Sequence, residues 1–306
     1  MRFLDTGQTR GVSYRIMEDA FRKELETLME KHKYSSSDVI NSELKKLADK
    51  HNNTGRTDFD GLSSEQMSKL LYFKLNENMI KIKDERGTNV PIIKQINYFL
   101  NIVEDAEEIK LTKAGHLPPA IVKDIYSQKY LTDDLIEWGI SKLTKETDST
   151  TVELTHILCQ ASGLIRKKNG KISLTKNGKK TLEAKNFLSL ILSTFISKFN
   201  WSYFDRYMNE MTGQFGAYYS VYLLDKYGNE KRDAGFYANK YFQAFPKTFS
   251  KEYSEIETSE ELCYTRRTFD RFFKYFGFLE NYYENKIGIR FVKKTETFEK
   301  YIEVEK

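Results

Sequence analysis

The side chains with the clearest chemical potential in this sequence are cations concentrated in one short segment. Between residues 166 and 185 the single acid is Glu183, and the basic residues are Arg166, Lys167, Lys168, Lys171, Lys176, Lys179, Lys180 and Lys185. Lysine and arginine at this density neutralise phosphates and release the counterions condensed on them. The segment therefore predicts a surface that binds the DNA backbone, with Arg166, Lys167, Lys168 and Lys171 as its candidate binding residues.

A second cationic set lies on a predicted helix near the C-terminus, from Arg266 to Phe276. Three of its cations follow one another at spacings of four and three residues, which places them on one face. We predict that this face is exposed and that a turn at Tyr264-Thr265 precedes it, as in the second helix of a helix-turn-helix, which enters the major groove. The candidate DNA-binding residues here are Arg266, Arg267, Arg271 and Lys274, with Arg290 and Lys293 on a hairpin after Gly277.

Catalytic patterns are sparse in the sequence. The four histidines are scattered without metal-ligand spacing, and no glycine-rich phosphate loop is present. Asp225 with Glu230-Lys231 is a weak match to a nuclease carboxylate cluster, and a turn at Tyr227-Gly228-Asn229 explains it better. We therefore predict a protein that is not an enzyme and has no cofactor or metal, with a nuclease as an open alternative.

Composition favours a soluble, mainly helical protein of several packed modules. The 306 residues are 30% charged and 40% hydrophobic, and only four prolines and sixteen glycines interrupt the chain. Two isolated cysteines and the absence of a secretory start predict a cytoplasmic location. The most apolar run, Phe187 to Phe199, is shorter than the roughly 20 residues needed to cross a bilayer, so no membrane partner is expected.

A short motif recurs along the chain. Ile109 to Gly115, with the sequence Ile-Lys-Leu-Thr-Lys-Ala-Gly, returns as Ile-Ser-Leu-Thr-Lys-Asn-Gly at Ile172 to Gly178, and a looser copy spans Ile289 to Thr295. Each copy alternates as a strand does and then leads through a turn into a helical pattern. Asn169-Gly170 is a strong hairpin signal immediately before the second copy. We interpret all three copies as second strands of hairpins.

The run from Gly163 to Gly178 resembles the wing of bacterial winged helix-turn-helix proteins, in which a helix is followed by a hairpin and another helix. The resemblance implies either DNA binding, with a helix in the major groove and the wing on phosphate, or a purely protein–protein module. The helix before this wing carries Glu153, Thr155, His156 and Gln160 but no arginine or lysine to contact guanine. Base recognition by that helix is therefore not expected.

These observations predict an α+β protein, mainly α with small β-hairpins, in which tandem winged-helix-like modules pack with an aromatic-rich helical segment. The predicted boundaries are 1–90 for an N-terminal helical region, 91–150, 151–186 and 251–306 for three modules, and 187–250 for the aromatic segment, whose rings we expect in the core. The 91–150 module, with Glu104, Asp105, Glu107 and Glu108, should pack against its neighbours instead of binding phosphate. The predicted function is duplex DNA binding; the alternative is a scaffold that binds a protein partner or forms a homo-oligomer.

Overall fold

The computed structural model describes residues 18–33, 35–184, 187–207, 209–246, 258–283 and 290–305. Over these residues the protein is mainly helical with three small antiparallel sheets, which confirms the predicted α+β class. No helix within the described ranges is long and apolar enough to cross a membrane. The predicted Lys185 lies outside the described residues.

The N-terminal region is helical, and its third helix has a capping box at its first turn. Ser63 caps the third helix by accepting from the Gln66 N–H, while the Gln66 side chain accepts from the Ser63 N–H, which satisfies two otherwise unpaired donors. The elements are α1 (Glu18–Lys31), α2 (Ser37–Asn53), α3 (Ser64–Tyr72) and the strand β1 (Ile80–Ile82).

The first unit spans residues 91–174. Its elements are α4 (Pro91–Asp105), β2 (Ile109–Lys110), α5 (Pro119–Ser127), the one-turn helix α6 (Asp134–Glu137), α7 (Thr150–Ala161), β3 (Ile165–Lys168) and β4 (Lys171–Leu174). The strand order is β2-β4-β3, so the last strand is central. Asn169 and Gly170 both have positive φ and form the two-residue turn between β3 and β4, which confirms the predicted hairpin.

The two matching sequence copies belong to one sheet. Ile109 pairs with Ile172, and Lys110 with Lys171, so the first copy is an edge strand beside the second and not the return strand of its own hairpin. The copies also end differently. Gly115 has a φ of +85° in a turn, whereas Gly178 lies inside helix α8 (Lys176–Ala184), where a methyl group would sit 2.0 Å from the Leu164 carbonyl oxygen. The predicted boundary at residue 150 therefore falls inside a single folded unit.

The second unit spans residues 217–294 and repeats the topology of the first. Its helices and strands are α10 (Ala217–Tyr227), β5 (Arg232–Asp233), α11 (Ala234–Ala244), α12 (Thr258–Thr265), a π-helix (Arg266–Phe273), α13 (Lys274–Phe276), β6 (Leu279–Tyr283) and β7 (Arg290–Lys294). The order β5-β7-β6 again places the last strand in the centre.

Each unit has the same hydrogen-bonded clasp between the end of its third long helix and the end of its last strand. The one-turn α6 is not counted, so the third helices are α7 in the first unit and the run from α12 to α13 in the second. In the first unit Thr175 Oγ1 donates to the Gly163 carbonyl at 2.7 Å, and in the second Thr295 Oγ1 donates to the Gly277 carbonyl at 2.7 Å. Both glycines have positive φ, the conformation that ends a helix at low cost. Each threonine hydroxyl also accepts an N–H in the first turn of the helix that follows.

The third helix of the second unit is continuous where a turn was predicted. Thr265 has α-helical dihedral angles, and α12, the π-helix and α13 follow one another without a break from Thr258 to Phe276. The expected helix-turn-helix junction at Tyr264-Thr265 is therefore wrong, and both residues are buried inside the helix.

The remaining elements join the units into one core. Helix α9 (Leu188–Ser197) leads into the linking segment, residues 198–207, which contains a 3-10 turn at Trp201–Phe204. After the second unit, α14 (Glu296–Tyr301) leads into β8 (Ile302–Val304), which pairs antiparallel with β1. Several rings of the aromatic segment lie in the core as predicted: Trp201, Tyr219, Tyr237 and Tyr241 are at most 1% exposed, whereas Tyr203 is 58% exposed.

Candidate nucleic-acid interface

The outward face of the first-unit sheet carries a row of lysines that crosses all three strands. Lys110 of β2 is paired with Lys171 of β4, and Lys171 is paired in turn with Lys168 of β3. Directly paired residues of an antiparallel sheet point to the same side. The opposite face buries Ile109, Ile165 and Ile172, so the three lysines point away from the core and all are exposed.

Other exposed cations lie close to this row along the chain. Arg166 is paired with Ser173 beside the lysine row, and its Nε donates to the Ser173 hydroxyl at 3.4 Å. Helix α8 follows directly and exposes Lys176, Lys179 and Lys180. Its first turn has a lysine and no acid, the reverse of what the helix dipole favours. We call Lys110, Arg166, Lys168, Lys171, Lys176, Lys179 and Lys180 the basic face.

Like charges directly opposite one another destabilise a sheet, and Glu108 offsets this repulsion at Lys171, the middle lysine of the row. A ligand with several closely spaced negative charges would remove that repulsion. The row therefore fits a polyanion better than a single small anion.

Lys167 lies on the other side of β3 from the lysine row, because neighbouring residues in a strand alternate. Its Nζ lies against the turn at Gly115, so close that a Cβ atom at position 115 would be only 2.5 Å from it. The structure thus separates Lys167 from the other three candidates of the hairpin.

Acidic residues border the basic face at the end of α4. Glu104, Asp105, Glu107 and Glu108 are all exposed, and Glu108 accepts a hydrogen bond from Lys171 Nζ at 2.6 Å. This bond and the charge of Lys171 hold the pKa of Glu108 below its usual range. The acids of the 91–150 segment are therefore next to the basic hairpin, and the same segment contributes Lys110 to it.

The second unit does not repeat the basic face. The glycine and threonine of the shared clasp align the strands of the two units. In this alignment Glu280 replaces Arg166, Tyr282 replaces Lys168 and Phe291 replaces Lys171. Strand pairing places Asp233 at the position of Lys110. The two sheets have the same strand order, but their outward faces carry different residue types. The lysine row is a property of the first unit, not a requirement of the topology.

The predicted cations of the second hairpin have other surroundings. Arg290 NH2 lies 2.7 Å from Asp270 Oδ1, and Arg290 Nε donates to Asn281 at 2.9 Å. Lys293 is half-buried on the outward side of β7. The hairpin tip, residues 284–289, lies outside the described residues.

The third helix of the second unit does not present a cationic surface. Arg267 is 0% exposed and Arg271 8% exposed, so the prediction that both lie on an open face is wrong. Asp205 of the linking segment, 4% exposed, binds Arg267 through both oxygens at 2.8 and 3.0 Å and Arg271 at 2.8 Å. Burial acts to raise the pKa of Asp205, but the two guanidinium groups outweigh it and hold that pKa below its ordinary value.

The two arginines also bind backbone carbonyls of the linking segment and of the residues just after it. Arg267 donates to the Asn209 and Thr212 carbonyls, and Arg271 donates to the Trp201 and Phe204 carbonyls. Of the other two candidates on this helix, Arg266 is exposed and Lys274 pairs with Asp134 of α6 at 3.2 Å. Major-groove contact by Arg267 and Arg271 is therefore incompatible with this packing.

The third helix of the first unit, α7, is buried as well. Thr155 is 0% exposed, His156 7% and Glu153 8%, which leaves Gln160 as the exposed member of the four polar residues considered for base contacts. The Tyr203 hydroxyl of the linking segment donates to Glu153 at 2.9 Å, and burial raises the pKa of that carboxyl. The linking segment thus contacts both third helices.

A second buried carboxylate contacts α7 three residues further along the helix. His156 Nδ1 lies 2.7 Å from Glu146 Oε1, and Glu146 Oε2 accepts from the Leu117 N–H. Among the described residues no group of three or more His, Cys, Asp or Glu side chains is arranged to hold a metal ion. Asp225, the residue of the nuclease alternative, lies 3.7 Å from Lys294 Nζ.

Part of the chain is similar to a known domain family. Residues 88–187 match the family model described as the Y4jL N-terminal domain, an interval that covers the first unit and α8. No curated protein and no solved structure matches the chain significantly. The family model thus covers the part of the chain that carries the basic face.

Sequence inference missed two residues of this arrangement. Lys110 was assigned to a separate acidic module, because the pairing of β2 with β4 joins residues more than sixty positions apart and leaves no local signal. Asp205 was missed for the same reason. The available hint was the resemblance of Ile109–Lys110–Leu111 to the strand at 172–174, since similar alternation is expected of neighbouring strands.

Proposed function

We propose that this chain binds the phosphate backbone of duplex DNA through the basic face of its first unit. In this proposal both units are winged helix domains, and the wing and α8, not the third helices, contact DNA. The arrangement of α7, the β3–β4 hairpin and α8 supports the winged helix assignment, as does the equivalent order in the second unit. The observation that carries the DNA proposal is the exposed row Lys110–Lys171–Lys168.

Backbone contacts position a protein on DNA but do not identify bases. Because α7 and the π-helix are covered, we expect little preference among duplex sequences of equal length. Affinity should instead fall steeply with salt, with a slope of about −0.9 in log K against log salt for each phosphate neutralised.

The test is charge reversal of the row, Lys110→Glu with Lys168→Glu and Lys171→Glu, followed by fluorescence anisotropy with a labelled duplex. The triple variant should weaken binding by about tenfold or more and make the salt slope shallower by about 0.9 for each lost contact. The matched control reverses three exposed lysines of the N-terminal helices, Lys23, Lys31 and Lys45. Equal losses in both triple variants would contradict the proposal.

A second candidate function is association with another copy of this chain, which a separate apolar patch favours. Trp138, Ile140 and Leu135 are 70%, 69% and 52% exposed. These residues lie in α6 and the turn after it, whose backbone is hydrogen-bonded locally: the Trp138 N–H donates to Asp134 O at 2.9 Å and the Ile140 N–H to Leu135 O at 3.0 Å. Tryptophan is enriched among the anchor residues of protein interfaces. Light scattering of the wild type and Trp138→Ala, with and without duplex, distinguishes this candidate from DNA binding.

A further inference from the structure

The basic face contains one carboxylate that opposes its proposed role. Glu108 Oε2 lies 2.6 Å from Lys171 Nζ, and the two side chains are 55% and 50% exposed. Lys171 is the middle lysine of the row, because β4 is the central strand. The cation at the centre of the proposed contact is therefore already paired within the protein.

The position of Glu108 is fixed by the fold. It directly precedes β2, whose pairing with β4 sets Ile109 opposite Ile172 and so places the carboxylate beside the row. Glu107, the residue before it, has a φ of +56°, a left-handed conformation that turns the chain from α4 into the strand. Glu108 is thus held at the edge of the sheet by backbone pairing and is not a free helix end.

We propose that Glu108 is an intramolecular competitor for Lys171, which a DNA phosphate must displace before the full lysine row can bind. This inference rests on the proposed function. An exposed ion pair contributes little free energy, so displacement by closely spaced phosphates is cheap. An anion with one or two charges contacts fewer of the lysines, so the same displacement cost takes a larger share of its binding free energy, and the competitor therefore favours polyanions.

The test is a double-mutant cycle on duplex affinity with Glu108→Gln, Lys171→Gln and the double variant. Glu108→Gln should tighten duplex binding about two- to fivefold, the range expected for release of an exposed ion pair. In the Lys171→Gln background the same substitution should have little effect, because the competed lysine is gone. The matched control is Glu65→Gln, which breaks an equally exposed ion pair with Lys69 on α3, outside the basic face, and should leave affinity nearly unchanged.

The outcomes separate the inference from the function on which it depends. If Glu108→Gln tightens binding equally with and without Lys171, Glu108 acts by general repulsion of phosphate, and competition is overturned while DNA binding stands. If Glu108→Gln leaves affinity unchanged in an otherwise DNA-binding protein, the inference also fails. If the wild type does not bind duplex even at low salt, the proposed function itself fails.

Discussion

At the scale of single residues, the decisive contact is the one between Asp205 and two arginines. The same guanidinium groups that a surface position would offer to guanine are here used to hold a loop. Their spacing of four residues is identical in the two situations. Residue type and spacing therefore identified the right helix face but assigned it the wrong environment.

Asp205→Asn should strongly destabilise the protein, because it leaves two buried guanidinium groups without a counter-charge. We expect a loss of about 3–5 kcal/mol in the free energy of unfolding, measured by urea denaturation. Asp134→Asn is the matched control, since its pair with Lys274 is exposed and should contribute at most about 1 kcal/mol. Equal effects of the two substitutions would contradict a stabilising role for the buried contacts of Asp205 with Arg267 and Arg271.

The same pair predicts a loss of stability in acid. The pKa of Asp205 is lowered on folding, so its contribution is complete above the unfolded value of about 3.9 and is lost as pH falls through the lower folded value. Unfolding free energy measured from pH 6 downwards should decline more steeply in the wild type than in Asp205→Asn. If the unfolding free energies of the two proteins fall in parallel below pH 6, a group other than Asp205 causes the loss of stability in acid.

At the scale of elements, the sequence predicted features that depend on neighbouring residues but not the pairing of strands that are far apart in the chain. The Asn169-Gly170 hairpin was predictable because the turn chemistry lies within two residues. The partner of the Ile109 strand was not, since any of several alternating strands has the same local pattern. The continuous helix through Thr265 was missed because its partner, the linking segment, is some sixty residues away in sequence.

The shared clasp provides an element-scale prediction. Thr175→Val and Thr295→Val keep the side-chain shape but remove a donor to the helix-ending glycine carbonyl and a cap for the next helix. Each should cost about 1–2 kcal/mol, and the two losses should be similar because the contacts are the same. Denaturation of both variants checks this, and a large effect for one alone would show that the units use the clasp differently.

At the scale of the whole molecule, the two units face each other through α9 and the linking segment. Phe195 of α9 stacks on Phe272 at 5.6 Å, while Tyr203 and Asp205 reach the two third helices. Because this contact between the units is apolar and buried, we expect the two units to unfold together and not independently. This burial also explains why the surface available to a polyanion lies on a sheet and the following helix.

The pairing of β1 with β8 has a mechanical consequence. Ile80 lies opposite Val304 and Ile82 opposite Ile302, so a pull applied at residues 79 and 305 separates the ladder one bond at a time from its open end. A pull at residues 83 and 305 instead loads the same bonds together. Optical tweezers with handles at these sites should therefore record a lower first rupture force for the 79–305 pair. The β1–β8 pairing closes the chain between these strands, and the force needed to break it depends on the direction of the pull.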